Sequence, residues 1–212
     1  LIASAGGKLY KSDTFRTMVQ ETSAASDFES GRLFTGAEWN QKLYIADPSK
    51  GLFIYDPVAD TLTDWAAAVT GGTAPSGCNI VARYRDAMVL AGDPSNPQVW
   101  YKARNGDPLD FNYGADANDA TRAVAGNNSE AGQIGEPITA LCPYSDDYLV
   151  MGATGSLWVV RGDPASSGII DVLANNVGIL GPRAWAYGPQ GELIFLGVNG
   201  LYLLAPGALA EG

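Results

Sequence analysis

Hydrophobic and polar positions alternate along this chain in a pattern that occurs four times. Each copy has an apolar strand closed by a small residue, a short polar gap, and a second strand with large apolar or aromatic residues. Alternation with a period of two predicts β-strands joined by tight turns. The strand pairs lie at residues 43–46 and 52–55, 88–91 and 99–101, 149–152 and 157–160, and 194–197 and 201–204. The closing residues Ala46, Ala91, Gly152 and Gly197 are 45, 61 and 45 positions apart.

A third apolar stretch precedes each pair, so every copy predicts three antiparallel strands. These stretches are residues 80–83, 138–141 and 184–187, with a weaker counterpart near Leu33-Phe34. The turns between them are Asn40-Gln41, Arg85-Asp86, Asp146-Asp147 and Gln190-Gly191, which tolerate positive φ or bond their own backbone. A multi-strand repeat near 45 residues is typical of β-propeller blades. We therefore predict an all-β fold, a β-propeller or a large arc of one, with little helix.

The repeat divides one predicted domain, residues 1–212, into units. They are a partial unit at 1–31, then 32–65, 78–111, 136–164 and 181–206. In the partial unit, a predicted hairpin over residues 2–10 is followed by an outer strand and a connection. The longer central spacing places an inserted loop at 112–135, which we expect to dock to neighbours. Because Leu1 stands first and no leader follows it, we expect a processed form or part of a longer chain.

Composition narrows the partners by exclusion. The 212 residues are 46% hydrophobic and carry a net charge of -10, from 13 basic and 23 acidic residues. Scattered basic residues argue against specific nucleic-acid binding. No apolar run approaches the roughly 20 residues that span a bilayer, so we predict no membrane segment. We expect Cys78 and Cys142 to be buried thiols of a protein made in a reducing compartment, although a bridge between them stays open.

The sequence contains no histidine, and this removes the usual hydrolytic sites. Ser-His-acid and Cys-His arrangements and most zinc sites need an imidazole. Asp146-Asp147 is the obvious carboxylate pair for glycoside hydrolysis, but neighbours in a hairpin turn do not face each other, so we expect a turn. The repeated Asp-box of sialidase-type propellers does not occur. We predict that the chain is not an enzyme and has no catalytic residues.

Oxygen ligands at Asp116, Asn118 and Asp119 are the best candidates for a metal site. Asn127-Asn128 and Glu130 add possible calcium ligands, but no bidentate Glu or bending Gly has the right offset. We expect a solvated turn there, with no metal and no cofactor.

Two further patterns have a structural and a functional interpretation. Gly-Asp-Pro occurs at residues 92–94, 106–108 and 162–164, with partial copies at 47–48 and 56–57, and it predicts turns built by Asp and Pro. Aromatic residues recur at Tyr55, Trp100-Tyr101, Trp158 and Tyr202. We expect them to pack in the core, whereas an exposed ladder would bind sugar rings by stacking.

Several segments together carry a family resemblance. Residues 99–111 read Val-Trp-Tyr-Lys-Ala-Arg-Asn-Gly-Asp-Pro-Leu-Asp-Phe, and residues 157–164 read Leu-Trp-Val-Val-Arg-Gly-Asp-Pro. With residues 122–126, 134–141, 177–182 and 200–202, they resemble the β-propeller structural proteins of tailed bacteriophages that build the tail tube, nozzle or hub. The resemblance covers about residues 80–206. It implies a virion component assembled as a ring, often sixfold, without a cofactor.

We therefore expect a structural protein of a phage tail, synthesised in the host cytoplasm and located in the virion. Its partners would be copies of itself in a ring, a hexamer if the ring has the sixfold symmetry common in the family, and neighbouring tail or portal-adaptor proteins. An acidic lumen would let the genome pass without sticking. Two alternatives stay open: a carbohydrate- or receptor-binding propeller module, and a propeller glycosidase or lyase with two facing carboxylates.

Overall fold

The described residues fold into five successive antiparallel sheets, each of them a propeller blade, and the predicted all-β fold class is confirmed. A computed structural model describes residues 2–14, 17–21, 28, 34–127, 129 and 131–209. The first ten strands in chain order are β1 (Ile2–Ala5), β2 (Lys8–Thr14), β3 (Thr17–Gln20), β4 (Thr35–Trp39), β5 (Lys42–Asp47), β6 (Gly51–Asp56), β7 (Thr61–Asp64), β8 (Gly71–Gly72), β9 (Ile80–Tyr84) and β10 (Ala87–Ala91). The other ten are β11 (Tyr101–Lys102), β12 (Asp110–Phe111), β13 (Val124–Ala125), β14 (Ile138–Pro143), β15 (Tyr148–Ala153), β16 (Ser156–Asp163), β17 (Ser166–Asn175), β18 (Trp185–Tyr187), β19 (Leu193–Gly197) and β20 (Gly200–Leu204).

The blades follow chain order from the first to the fifth. Blade 1 is β1-β2-β3, blade 2 is β4 to β7, blade 4 is β14 to β17 and blade 5 is β18-β19-β20. Blade 3 runs β9-β10-β11-β13, while β8 and β12 form a small parallel pair beside it. Single turns of 3-10 helix lie at Ala66–Ala68 and Pro206–Leu209.

The hairpin turns form where the turn residues predict them. Asn40 and Gln41 both have positive φ, 47° and 61°, between β4 and β5. Arg85 and Gly191 also have positive φ in their predicted turns. Two-residue turns of this kind match the twist of the strands that they join, so they fix the register of each hairpin.

Blades 2, 3 and 4 each contribute their two faces to two different cores, because side chains alternate along a strand. In blade 4, Leu149 and Met151 pack against blade 3, whereas Val150 between them packs against blade 5. Every internal junction is therefore a sheet-on-sheet core. The four cores include Leu9 with Phe53, Tyr44 with Trp65 and Phe111, Trp100 with Val160, and Cys142 with Phe195.

The first strands of blades 2, 3 and 4, together with the start of blade 5, line a small cavity. β4 lies beside β9, and β9 lies beside β14. The cavity, of about 290 Å³, is lined by residues from blades 2 to 5, including Thr35, Val81, Leu141 and Trp185. Arg183 is the one charged side chain among its lining residues.

Some boundaries differ from the sequence prediction. β13 lies inside the predicted loop 112–135 and completes blade 3, and β17 extends blade 4 to Asn175, beyond the predicted end at residue 164. β13 has only two residues, and most residues of β17 are exposed or half-buried, so neither shows an apolar alternation. The weak element near Leu33-Phe34 is β4, which begins at Thr35, and Leu33 lies outside the described residues.

The two cysteines are free and buried, as predicted. Burial raises the pKa of both the Cys78 and the Cys142 thiols well above the usual value. Since the thiolate is the reactive form, we expect neither thiol to react with a disulfide reagent in the native protein. In a time-resolved titration with such a reagent, about two thiols per chain should react, and they should do so only after denaturant is added. Rapid release from the native protein would contradict this burial.

Candidate functional site

The aromatic residues singled out in the sequence serve mainly in the cores. Tyr55 and Trp100 are buried, and Trp158 and Tyr202 are half-buried. The ring of Tyr202 stacks on Phe195 with centroids 5.5 Å apart. The core interpretation is therefore confirmed for these side chains, and they form no exposed ladder.

The three Gly-Asp-Pro copies form the same turn, as predicted. Their glycines have φ between 71° and 78°. In each copy, one carboxylate oxygen of the Asp accepts a hydrogen bond of 2.9 Å from the backbone N–H two residues later. What distinguishes the copies is the environment of the carboxylate. Asp93 reaches Asn96 in its own turn, whereas Asp163 faces into the junction of blades 3 and 4.

That junction contains a polar group within an otherwise apolar core, which we call the junction cluster: Tyr84, Lys102, Asn105, Gly162 and Asp163. The Nζ of Lys102 lies 3.3 Å from Oδ1 of Asp163, and the Lys102 side chain is 0% exposed. Asn105 donates to Oδ2 of Asp163 at 2.5 Å, and the Tyr84 hydroxyl donates to the Gly162 carbonyl at 2.8 Å. Blades 3 and 4 are thus joined by an ion pair and two hydrogen bonds.

Burial sets the electrostatics of the junction cluster. Desolvation lowers the pKa of Lys102, and the attraction of Asp163 opposes that shift. The Lys102 ammonium is within ion-pair distance of Asp163 but makes no well-aligned hydrogen bond to a described residue, and Oδ1 of Asn105 has no hydrogen-bond partner among those residues. A buried pair of this kind adds little net stability over apolar packing, but it strongly penalises arrangements that separate the partners.

Sequence reasoning missed this cluster. The available signal was the alternation of Trp100 and Lys102 on one face of a predicted strand, which places a charge at a core position. Nothing in the local pattern identifies Asp163 as its partner, because Asp163 also satisfies the turn prediction.

The inserted segment 112–135 is tied to blade 4. Arg122 donates to the Ala165 carbonyl at 3.0 Å, and Ser129 donates through its hydroxyl to the Pro164 carbonyl at 3.3 Å. The Ile170 N–H donates to the Ala131 carbonyl at 2.8 Å. The segment is therefore not a free loop throughout, and its second half spans the junction of blades 3 and 4. A docking role stays a prediction for the exposed residues near its start.

The candidate calcium ligands make hydrogen bonds within the loop. Asp116 accepts from the Asn118 N–H at 2.9 Å, and Asp119 accepts from the Thr121 hydroxyl at 2.7 Å and from Arg104 at 2.6 Å. Across the described part of the chain, no three His, Cys, Asp or Glu side chains group closely enough to hold a metal ion. The possible ligands Asn128 and Glu130 lie outside the described residues.

Asp119 makes the anchoring of this loop sensitive to pH. Hydrogen bonds from Thr121 and Arg104 lower the pKa of Asp119 to about 2. The stabilisation is present above the ordinary pKa near 3.8 and is lost as the pH falls towards 2. We expect Asp119→Asn to lower the thermal midpoint at about pH 6, with the difference from the parent vanishing near pH 2.

A matched control for this experiment is Asp116→Asn, which removes the same charge from a side chain that bonds to Asn118. Thermal melts across the pH range would compare the three proteins. A pH-independent effect of Asp119→Asn would show that the ionised carboxylate does not anchor the loop.

The carboxylate pair Asp146-Asp147 lies in an exposed turn. The Asp147 N–H donates to the Ser145 hydroxyl at 3.2 Å, and the Asp147 carbonyl accepts from Gly162 at 3.0 Å. Asp147 lies 3.9 Å from Arg85. These contacts confirm the turn interpretation of the pair.

No protein-family model and no curated protein matches the chain. Among solved structures, it is similar to the extracellular domain of a hybrid two component system from B. thetaiotaomicron, with 14% identity, a TM-score of 0.56, and coverage of 94% of this chain and 25% of that chain. It is also similar to PorZ, a surface component of the type-IX secretion system of Porphyromonas gingivalis, with 14% identity, a TM-score of 0.54, and coverage of 96% and 30%. The chain spans less than a third of the length of either protein. The likeness supports the propeller fold.

The part of the chain that the structure describes includes no helix long and apolar enough to cross a membrane.

Proposed function

We propose that this chain is a structural component of the tail of a tailed bacteriophage, a nozzle, hub or connector part that assembles into a ring. The observation that carries the proposal is that the segments that resemble phage tail proteins meet at one place in the fold. Residues 99–111 supply Lys102 and Asn105, residues 122–126 supply Arg122, and residues 157–164 supply Asp163. These segments converge on the junction of blades 3 and 4. The residues behind the resemblance are therefore those that hold two blades together.

A mechanical role suits the way these residues are used. The Gly-Asp-Pro carboxylates, the aromatic side chains and the inserted segment all make contacts within or between blades. A buried ion pair held by hydrogen bonds favours one relative position of two sheets over others. A rigid arc of blades is a suitable building unit for a ring that must keep its shape.

The genome would pass through a ring of several chains and not through the propeller itself. The cavity of about 290 Å³ between blades 2 to 5 is far too small for duplex DNA, and Arg183 is the one charged side chain among its described lining residues. The net charge of -10 would repel DNA from a ring lumen built of acidic surfaces. A lumen whose surface proves basic in the assembled ring would contradict this part of the proposal.

The proposal implies that the partners are copies of this chain, six in the ring that the resemblance suggests, and neighbouring tail or portal-adaptor proteins, with the protein located in the virion. Immunogold labelling of intact and opened particles from the source lysate tests it, with pre-immune serum as the control. We expect gold at one level of the tail. Gold absent from both kinds of particle would rule out the structural role.

Carbohydrate binding is the second candidate, and one observation favours it. Tyr144, Trp185 and Tyr187 form a surface aromatic group, with ring centroids 6.4 Å and 5.3 Å apart, and Tyr187 is 47% exposed. The two pairs meet edge to face, and Tyr187 is the member whose exposed ring offers a surface on which a sugar can stack. Host polysaccharide should then shift the tryptophan fluorescence of the parent protein but not of Tyr187→Ala. No shift with the parent would remove this candidate.

A further inference from the structure

Blade 5 has one buried face and one open apolar face. Register pairs Leu196 with Leu201 and Ile194 with Leu203, so these four side chains lie on the same side of the sheet. Leu196, Leu201 and Leu203 are 44%, 73% and 62% exposed. We call Ile194, Leu196, Leu201 and Leu203 the open face. A contiguous exposed apolar group of this kind marks an interaction surface.

The preceding blade shows what covers such a face. The β15–β16 hairpin of blade 4 and the β19–β20 hairpin of blade 5 both turn through two residues, at 154–155 and 198–199. Aligning these turns matches Val150 with Ile194, Leu157 with Leu201, and Val159 with Leu203. The corresponding three residues of blade 4 are all buried in the core that it shares with blade 5. Apolar residues thus recur at the positions that the next blade covers.

Blade 1 is a poor match for the open face. Its side away from blade 2 carries Ala3, Tyr10, Ser12, Met18 and Gln20, which the register places on one face. The same hairpin alignment matches Tyr10 with the aromatic Trp158, but it matches Ala3 with Met151 and Ser12 with Val160, two buried apolar residues of blade 4.

At Ala3 and Ser12, the side of blade 1 that points away from blade 2 is therefore smaller and more polar than the faces that pack on a preceding blade. Covering an apolar surface stabilises a complex most when the partner is also apolar and packs against the surface without voids. Ala3 and Ser12 stand where blade 4 has larger apolar residues, so they offer little apolar surface and fill little volume.

We propose that the open face of blade 5 is the docking site for a sixth propeller blade that presents large apolar residues, and that blade 1 is not this occupant. In both solved structures described above, this arc corresponds to no more than 30% of a longer chain. The partner has the chemistry of the sides of blades 4 and 5 that pack on the preceding blade, where Met151, Trp158, Phe195 and Tyr202 lie. The inference concerns the interaction surface and is independent of the tail role.

The test uses blade 5 itself as the probe, because its inner face already packs on Val150, Leu157 and Val159, which match Ile194, Leu201 and Leu203. The alignment matches Leu196 with Gly152, on which Ile179 packs too closely for any side chain, so the original blade carries Leu196→Gly in every protein that is compared. A copy of residues 176–209 is fused behind residue 212, with Leu201→Thr and Leu203→Thr in the copy to remove its own open face. Leu203→Cys in the original blade reports coverage through its rate of reaction with a thiol reagent. We expect the copy to slow this reaction at least 10-fold, and Leu201→Lys in the original blade to abolish the protection. An unchanged rate with a copy that circular dichroism shows to be folded would overturn the proposal.

A second measurement does not depend on the copy. In the unextended chain, Leu201→Thr with Leu203→Thr should leave the thermal midpoint within about 2 °C of the parent, whereas Leu157→Thr with Val159→Thr should lower it by 10 °C or more. Equal losses would mean that the open face is already covered.

The cysteine at position 203 should also react at the same rate at low and high protein concentration. Protection that grows with concentration and is lost with Tyr10→Asp would make blade 1 of a second copy the occupant. That result would overturn the inference while leaving the tail role to be decided by labelling of particles.

Discussion

Replacing Asp163 with Asn should lower the free energy of unfolding by about 3–5 kcal/mol, because it leaves the buried ammonium of Lys102 without its counter-charge. Lys102 is 0% exposed and lies 3.3 Å from Asp163. Asn retains an oxygen that can accept the turn hydrogen bond from Ala165, so the loss isolates the charge from the turn. Urea unfolding followed by tryptophan fluorescence measures the change. Since a domain is stable by only about 5–15 kcal/mol, this single substitution would remove a large part of the free energy of unfolding.

The repeat provides a matched control in Asp93→Asn. Asp93 forms the same Gly-Asp-Pro turn, but its second oxygen bonds to Asn96 in the same turn. We expect a loss below about 1 kcal/mol. The double variant Lys102→Met/Asp163→Asn should recover most of the stability, because it removes both charges and retains the volume of the lysine stem. Equal losses of stability in Asp163→Asn and Asp93→Asn would show that the junction cluster adds no stability beyond that of the turn.

Trp100→Ala should cost about 3–5 kcal/mol, through lost apolar contact and the cavity that remains between blades 3 and 4. Trp100 is 1% exposed and packs with Met151 and Val160. Trp100→Phe retains part of the ring and should lose less than half as much. Urea unfolding followed by circular dichroism measures both, since the fluorescence of one tryptophan is removed.

Tyr187→Ala is the control for an exposed aromatic side chain. With 47% of Tyr187 exposed, its truncation should cost clearly less than that of Trp100. A smaller loss at Trp100 than at Tyr187 would mean that Trp100 is not the centre of a tightly packed junction.

The strands and turns could be predicted because their signals are local. The alternation in residues 149–152 and 157–160 predicts β15 and β16, and the Asn40-Gln41 turn follows from residues that accept positive φ. β17 was not predicted from the sequence, because an outer strand with solvent on most of its surface needs no apolar alternation. β13 was not predicted either, because its place in the sheet is set by pairing with β11 and not by its own two residues.

The candidate site was less predictable, because it consists of contacts between distant segments. Lys102 shows its unusual position through its alternation with Trp100, but only the packing of blade 4 on blade 3 brings Asp163 to it. The carboxylates Asp116 and Asp119 have metal-like spacing in the sequence, yet Asn118, Thr121 and Arg104 take up their oxygens in the fold. Chemistry that depends on partners far along the chain cannot be read from one segment alone.

Cryo-electron microscopy of intact tailed particles from the source lysate tests the central claim most directly. The account predicts that one level of the tail contains density for this five-blade arc, repeated around the tail axis. At that level, further sheet density should lie against Leu201 and Leu203. Tail density explained at every level by other chains, with no place that fits the arc, would contradict the structural role.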